Sequence, residues 1–172
     1  MRRATDLRWA GALSGRPPQI PDTPTKRAAC QAGLRYERQL ASALSRKLTH
    51  GQWWAYEDRN GRGWCQTDFW GRTPDGFVVI VEAKYTWTPA GHDKLEGLYR
   101  PVVAFALGMD PARVLGVQVC KRLTLSIPCG VLIRPNLEEA LKAADAGNRA
   151  VWHHLGGVPQ LRAPEVRAAV AA

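Results

Sequence analysis

The chain has 172 residues, 45% of them hydrophobic and 23% charged, the size and balance of one globular domain with room for an arm or extension. No apolar run approaches the roughly 18–20 residues of a membrane span. No apolar stretch follows the basic start Met1-Arg2-Arg3 either, so a secretory leader is not expected and a cytoplasmic location is, in a host cell or virion if the chain is phage-encoded. Twenty-four Lys plus Arg against 15 Asp plus Glu give +9 and a pI near 9.9. Such a surplus suits a polyanionic partner, because each phosphate contact releases counterions, but it also suits a chain that is merely basic.

Residues 1–28 hold Pro17, Pro18, Pro21 and Pro24 among six basic and two acidic residues, which predicts an extended arm able to lie along DNA or along a partner in an assembly. From Ala29 to Leu48 the period becomes helical. Leu34, Leu40, Ala41, Leu44 and Leu48 share one stripe, and Arg35, Arg38, Ser42 and Arg46 share the other side. Glu37 falls near the middle of the apolar stripe, where a carboxylate is costly unless it is paired or ligated.

Three strands are expected next, over Gln52–Glu57, Trp64–Trp70 and Phe77–Tyr85, with turns at Asn60-Gly61 and Thr73-Pro74-Asp75-Gly76. Phe77-Val78-Val79-Ile80-Val81 is apolar on both faces and reads as a central buried strand. A helix is expected over Asp93–Leu107, kinked or restarted at Pro101 and stopped by Gly108, and a strand over Val114–Cys120. Strand Val131–Arg134, helix Leu137–Ala146 and strand Arg149–His154 form a tail unit. The chain thus divides into an arm (1–28), a core (29–125) and a C-terminal extension packing on that core (126–172), with core order α-β-β-β-α-β.

The second turn fixes a register. A three-residue loop of Pro74, Asp75 and left-handed Gly76 pairs Thr73 with Phe77, so paired numbers sum to 150 and Asp68 faces Glu82. Side chains of such a pair sit roughly 4.5–5.5 Å apart, and Lys84, two residues on, shares the face of Glu82. A two-residue loop would instead shift the sum to 149 and set Asp68 against Val81. Facing carboxylates repel, and a bound cation relieves the repulsion more fully than one lysine does. A Glu-x-Lys triplet by itself arises by chance in roughly one of every two chains this long. The register, the apolar lead-in, Asp68 opposite and inward Glu37 upstream together say more.

The helix bearing Glu37, then Asp68, then Glu82-Ala83-Lys84 closing an apolar strand resembles the PD-(D/E)xK, or restriction-endonuclease-like, nuclease superfamily over residues 29–123. The resemblance implies an α/β fold with an αβββαβ core and a central mixed sheet flanked by helices. It implies Mg²⁺ or Mn²⁺ on Asp68 and Glu82, helped by the Ala83 carbonyl, with Glu37 as an extra carboxylate. Lys84 would orient and deprotonate the attacking water and stabilise developing charge. Some members carry Gln-x-x-x-Tyr on the next helix; the nearest match here is Glu96-Gly97-Leu98-Tyr99, with Glu for Gln and shorter spacing.

Around that site, Arg35, Arg38, Arg46, Lys121 and Arg122 are candidate phosphate-backbone contacts or simply solubilising charges. Trp53, Trp54, Trp64, Trp70 and Trp87 are candidates for base stacking or for packing. Cys30, Cys65, Cys120 and Cys129 form no CxxC pair, and zinc would need His153 and His154 from a distant segment, so free thiols are expected. No phosphate-binding loop or His-Glu-x-x-His helix is present. The expected function is therefore metal-dependent hydrolysis of DNA phosphodiesters, in DNA processing, repair, recombination or phage DNA metabolism. The alternative is a nuclease fold retained as a non-catalytic DNA-binding or structural part, for example in a phage particle. A homo-oligomer or larger assembly through residues 1–28 remains open.

Overall fold

A computed structural model describes residues 3–17, 28–44, 47–124 and 127–154, which form a mixed α/β fold around a seven-stranded sheet. The elements in chain order are β1 (Trp9–Leu13), α1 (Ala28–Leu44), β2 (Thr49–Asp58), β3 (Gly61–Arg72) and β4 (Val78–Thr86). Then come α2 (Pro89–Lys94), a π-helical turn (Leu95–Tyr99), α3 (Arg100–Ala106), a 3₁₀ turn (Pro111–Arg113) and β5 (Val114–Arg122). β6 (Val131–Arg134), α4 (Leu137–Asp145) and β7 (Arg149–His153) complete the fold. Among the described residues no helix is long and apolar enough to cross a membrane.

The sheet runs β1-β2-β3-β4-β5-β7-β6. The first four strands pair antiparallel and the remaining pairs are parallel. The apolar run of β4 lies at its centre, covered on both faces as its composition predicts. On one side Val79 and Val81 pack with Tyr36, Leu40 and Leu44 of α1 and with Ala140 of α4. On the other, Val78 and Ile80 pack with Leu95, Leu98, Tyr99 and Val102.

The expected second helix is present but divided. Arg100 N–H donates to the Leu95 carbonyl, an i→i+5 bond that widens one turn just before Pro101. Proline lacks the N–H that would reach back four residues to Gly97. That carbonyl instead accepts the N–H of Ala4 at 2.8 Å. Gly108, at φ +63°, ends α3 as expected, and Met109 N–H closes back on the Ala104 carbonyl at 2.9 Å.

The described parts of the two flanking segments join the same sheet as residues 29–125. The described part of segment 1–28 is extended but not a free arm. Trp9–Leu13 adds an edge strand to β2, and Arg8 N–H bonds the Glu57 carbonyl at 2.8 Å. Its short, weakly alternating sequence, Trp-Ala-Gly-Ala-Leu, carries no strand signal of its own; the open edge of β2 supplies the partners. The tail unit packs on the core and also extends its sheet. β7 inserts between β5 and β6 and continues the same sheet, while Leu137, Ala140, Ala143 and Trp152 join the α1-side core.

Candidate functional site

The Thr73–Phe77 turn forms as its chemistry predicts. Thr73 N–H donates to the Phe77 carbonyl at 2.8 Å, Gly76 N–H to the Thr73 carbonyl at 3.0 Å, and Gly76 adopts φ +79°. Thr73 Oγ1 also accepts the Phe77 N–H at 2.9 Å. The β3–β4 ladder runs from Arg72–Val78 to Phe69–Val81, every pair summing to 150, so the two-residue-loop register does not occur. Asp68–Glu82 would be the next pair, but the backbone ladder stops one pair short. There the Asp68 side chain takes over, and its Oδ2 accepts the Ala83 N–H at 2.7 Å. β4 meanwhile continues parallel to β5 as far as Thr86. Asp68 is therefore aimed at the β4 backbone where β3 leaves it.

Glu82 is completely buried. Lys84 Nζ lies 2.5 Å from its Oε1, and Lys94 Nζ lies 3.1 Å from Oε1 and 3.4 Å from Oε2. Burial opposes the charge on Lys84, but the carboxylates of Glu82, Asp68 and Glu37 outweigh it and raise its pKa, so it stays an ammonium. Burial pushes the Asp68 carboxyl up to about 7; the charges of Glu82 and Glu37 add to this, and the two lysines offset part of it. The Tyr99 phenol is likewise held neutral, first by burial and then by Glu82 and Asp68. Its hydroxyl donates to the Gln66 carbonyl of β3.

Glu37, expected near the middle of the apolar stripe and in need of a partner, is only partly buried and has one within the protein. Its side chain is 27% exposed and its Oε1 lies 2.8 Å from His50 Nε2. It is near enough to raise Asp68, yet its own hydrogen-bond partner is on β2. Among the described residues no three His, Cys, Asp or Glu side chains gather as a metal cage. A buried Glu82 and a half-buried Asp68, the latter reluctant to ionise, still suit a hard cation that keeps several waters of its own, as Mg²⁺ does.

The surrounding expectations divide. Arg35 and Arg38 are exposed on α1, while Arg46 lies outside the described residues. Lys121 and Arg122 are exposed at the end of β5, and the Arg122 guanidinium sits 5.2 Å over the Tyr85 ring. Trp54 and Trp87 are core residues; Trp53, Trp64 and Trp70 are half-buried, and Trp70 meets Trp54 edge-on at 5.2 Å. Cys65, Cys120 and Cys129 are free thiols.

Sequence reasoning missed Lys94 and Gln118, and reached Tyr99 only through the Glu96–Tyr99 match. Lys94 and Tyr99 are five apart, which in an α-helix would set them on nearly opposite sides; the π turn brings the ammonium to 4.7 Å from the Tyr99 ring. Gln118 pairs with Glu82 across β4–β5, is completely buried, and has neither amide atom hydrogen-bonded among the described residues. No protein-family model, curated protein or solved structure matches the chain.

Proposed function

We propose that the chain is a metal-dependent phosphodiester hydrolase. More particularly, we read it as a DNA nuclease of the PD-(D/E)xK, restriction-endonuclease-like, kind. The observation that carries this reading is the hairpin register, which brings the Asp68 carboxylate to the Ala83 N–H, beside buried Glu82 and its Lys84 partner. The order α1-β2-β3-β4, then helix, then β5 supports it. So does the placement of the charges at the carboxyl end of a strand that is otherwise apolar.

Asp68, Glu82 and the Ala83 carbonyl would hold Mg²⁺ or Mn²⁺, which when bound neutralises phosphate charge and activates water. Lys84, held as an ammonium by three carboxylates, serves as a cation that orients the nucleophile and stabilises charge growing on phosphate oxygen. Asp68 must give up its proton before it can ligate, so its raised pKa couples cation uptake to pH near 7. The Ala83 N–H holds the Asp68 carboxylate in place without consuming its second oxygen. Arg35, Arg38, Lys121 and Arg122 would bear the DNA backbone.

A second reading, a nuclease fold kept for binding, is favoured by one observation: two ammonium groups already sit on Glu82. Cleavage of plasmid and linear DNA with Mg²⁺ or Mn²⁺ separates the two. The nuclease reading expects cutting by the wild type and losses of roughly 100-fold or more in Glu82→Ala and Lys84→Ala. It fails if the wild type cuts nothing or if both variants cut equally well. Salt-sensitive DNA binding without cutting would establish the second reading.

A further inference from the structure

Lys84 and Lys94 both reach Glu82, yet they come from different elements and only Lys84 belongs to the strand that carries the carboxylate. Lys94 closes α2, and the π turn that follows fixes where it points. Its ammonium spans both oxygens of Glu82 at 3.1 and 3.4 Å and lies against the Tyr99 ring at 4.7 Å. Tyr99 is itself tied to the β3 backbone at Gln66. Lys94 is thus clamped between a carboxylate and an aromatic face. The Glu82 side chain is 0% exposed, whereas those of Lys84 and Lys94 are 35% and 32% exposed. An anion arriving from solvent therefore meets two ammonium groups laid over a buried carboxylate, each with three N–H donors to share.

We propose that Lys94 is a second cationic positioning residue of this site: it holds Glu82 in place and stands over it as a tethered competitor for the cation. It also gives a phosphodiester oxygen an ammonium to bind once Glu82 has exchanged partners. The inference rests on the nuclease reading above. Lys94 works on the same oxygens a metal would use, so its removal has two opposed consequences. Cation affinity rises because the competitor is gone, and turnover falls because a carboxylate anchor and a phosphate-facing charge are lost. A lysine that only stabilises the fold would produce neither.

The experiment is Mn²⁺ titration by calorimetry, with kcat and KM for DNA cleavage, on wild type, Lys94→Met and Lys94→Arg. Lys94→Met is expected to bind Mn²⁺ roughly 5-fold or more tightly. It should lose roughly 100-fold in kcat with little change in KM. Lys94→Arg, which keeps the charge, should recover most of the rate. If Lys94→Met fails to fold, Lys94→Gln takes its place in the same comparison. Unchanged Mn²⁺ affinity and kcat, or a change in KM alone, overturns the proposal and leaves the nuclease reading standing. A wild type that takes up no Mn²⁺ defeats the nuclease reading, and this proposal with it.

Discussion

The two halves of β4 obey opposite rules. Val78 to Val81 is apolar, buried on both faces, and bonded through the backbone to β3 on one side and β5 on the other. Glu82 to Lys84 keeps the β5 ladder but loses β3, and a side chain, Asp68, replaces the missing backbone acceptor. The first half contributes stability through burial of apolar surface. The second half gathers carboxylates that repel one another, and two lysines offset them only in part. A rigid apolar strand thus supports a charge cluster that adds little stability of its own.

The largest effect is expected where the apolar half is broken. Ile80→Ala should cost about 2–5 kcal/mol, because the cavity lies between the sheet and the helices and cannot collapse freely. Urea denaturation measures it; a cost under about 1 kcal/mol would show that this half is not the rigid platform described.

Gly91→Ala tests the junction between the halves. A Cβ there would come 2.7 Å from the Gln118 side chain, which lies beside Glu82 on β5. Overpacking of about 1–3 kcal/mol is expected. Because the displaced helix α2 also carries Lys94, cleavage should fall further than stability alone explains. Wild-type stability together with wild-type rates would mean that α2 is not held against Gln118.

The smallest stability effect, and the one of opposite sign, belongs to the charged half. Asp68 titrates near 7 in the fold against an ordinary value of 3.8, so the folded state holds its proton more tightly than the unfolded state does. Its contribution to stability is therefore most favourable below pH about 4 and is lost as pH rises to about 7. Asp68→Asn, whose amide oxygen can still accept the Ala83 N–H, should melt higher than wild type at pH 8 without divalent cations, by about 2–4 °C. The gap should close by pH about 4, and cleavage should be abolished. Mn²⁺ should raise the melting temperature of wild type but not of the variant. A variant less stable than wild type at pH 8 would end the account of Asp68 as a strained carboxylate.

Much of this was legible in the sequence because it is locally encoded. The Thr73–Gly76 turn fixed the hairpin register through one left-handed glycine and a threonine hydroxyl, and with it the approach of Asp68 to β4. The apolar run of β4, the stop at Gly108 and the helix from Leu137 followed from periodicity and cap chemistry, the last reinforced by Asn136 Oδ1 accepting the Glu139 N–H. Glu37 shows the limit. Its place on α1 was readable, but its partner His50 lies 13 residues on, across a separate element, and no spacing rule joins them.

By itself, then, the sequence determined most elements from α1 onward, the central strand and the pairing of β3 with β4, because each depends on neighbours a few residues away. Only the tertiary structure decided that Trp9–Leu13 caps the sheet edge, that β7 slips between β5 and β6, and that a π turn delivers Lys94 to Glu82. Those outcomes depend on which open edges and buried charges meet after the chain collapses. The Gly97 carbonyl makes the point: Pro101 denies it the usual donor four residues on, and Ala4, 93 residues away in sequence, supplies one.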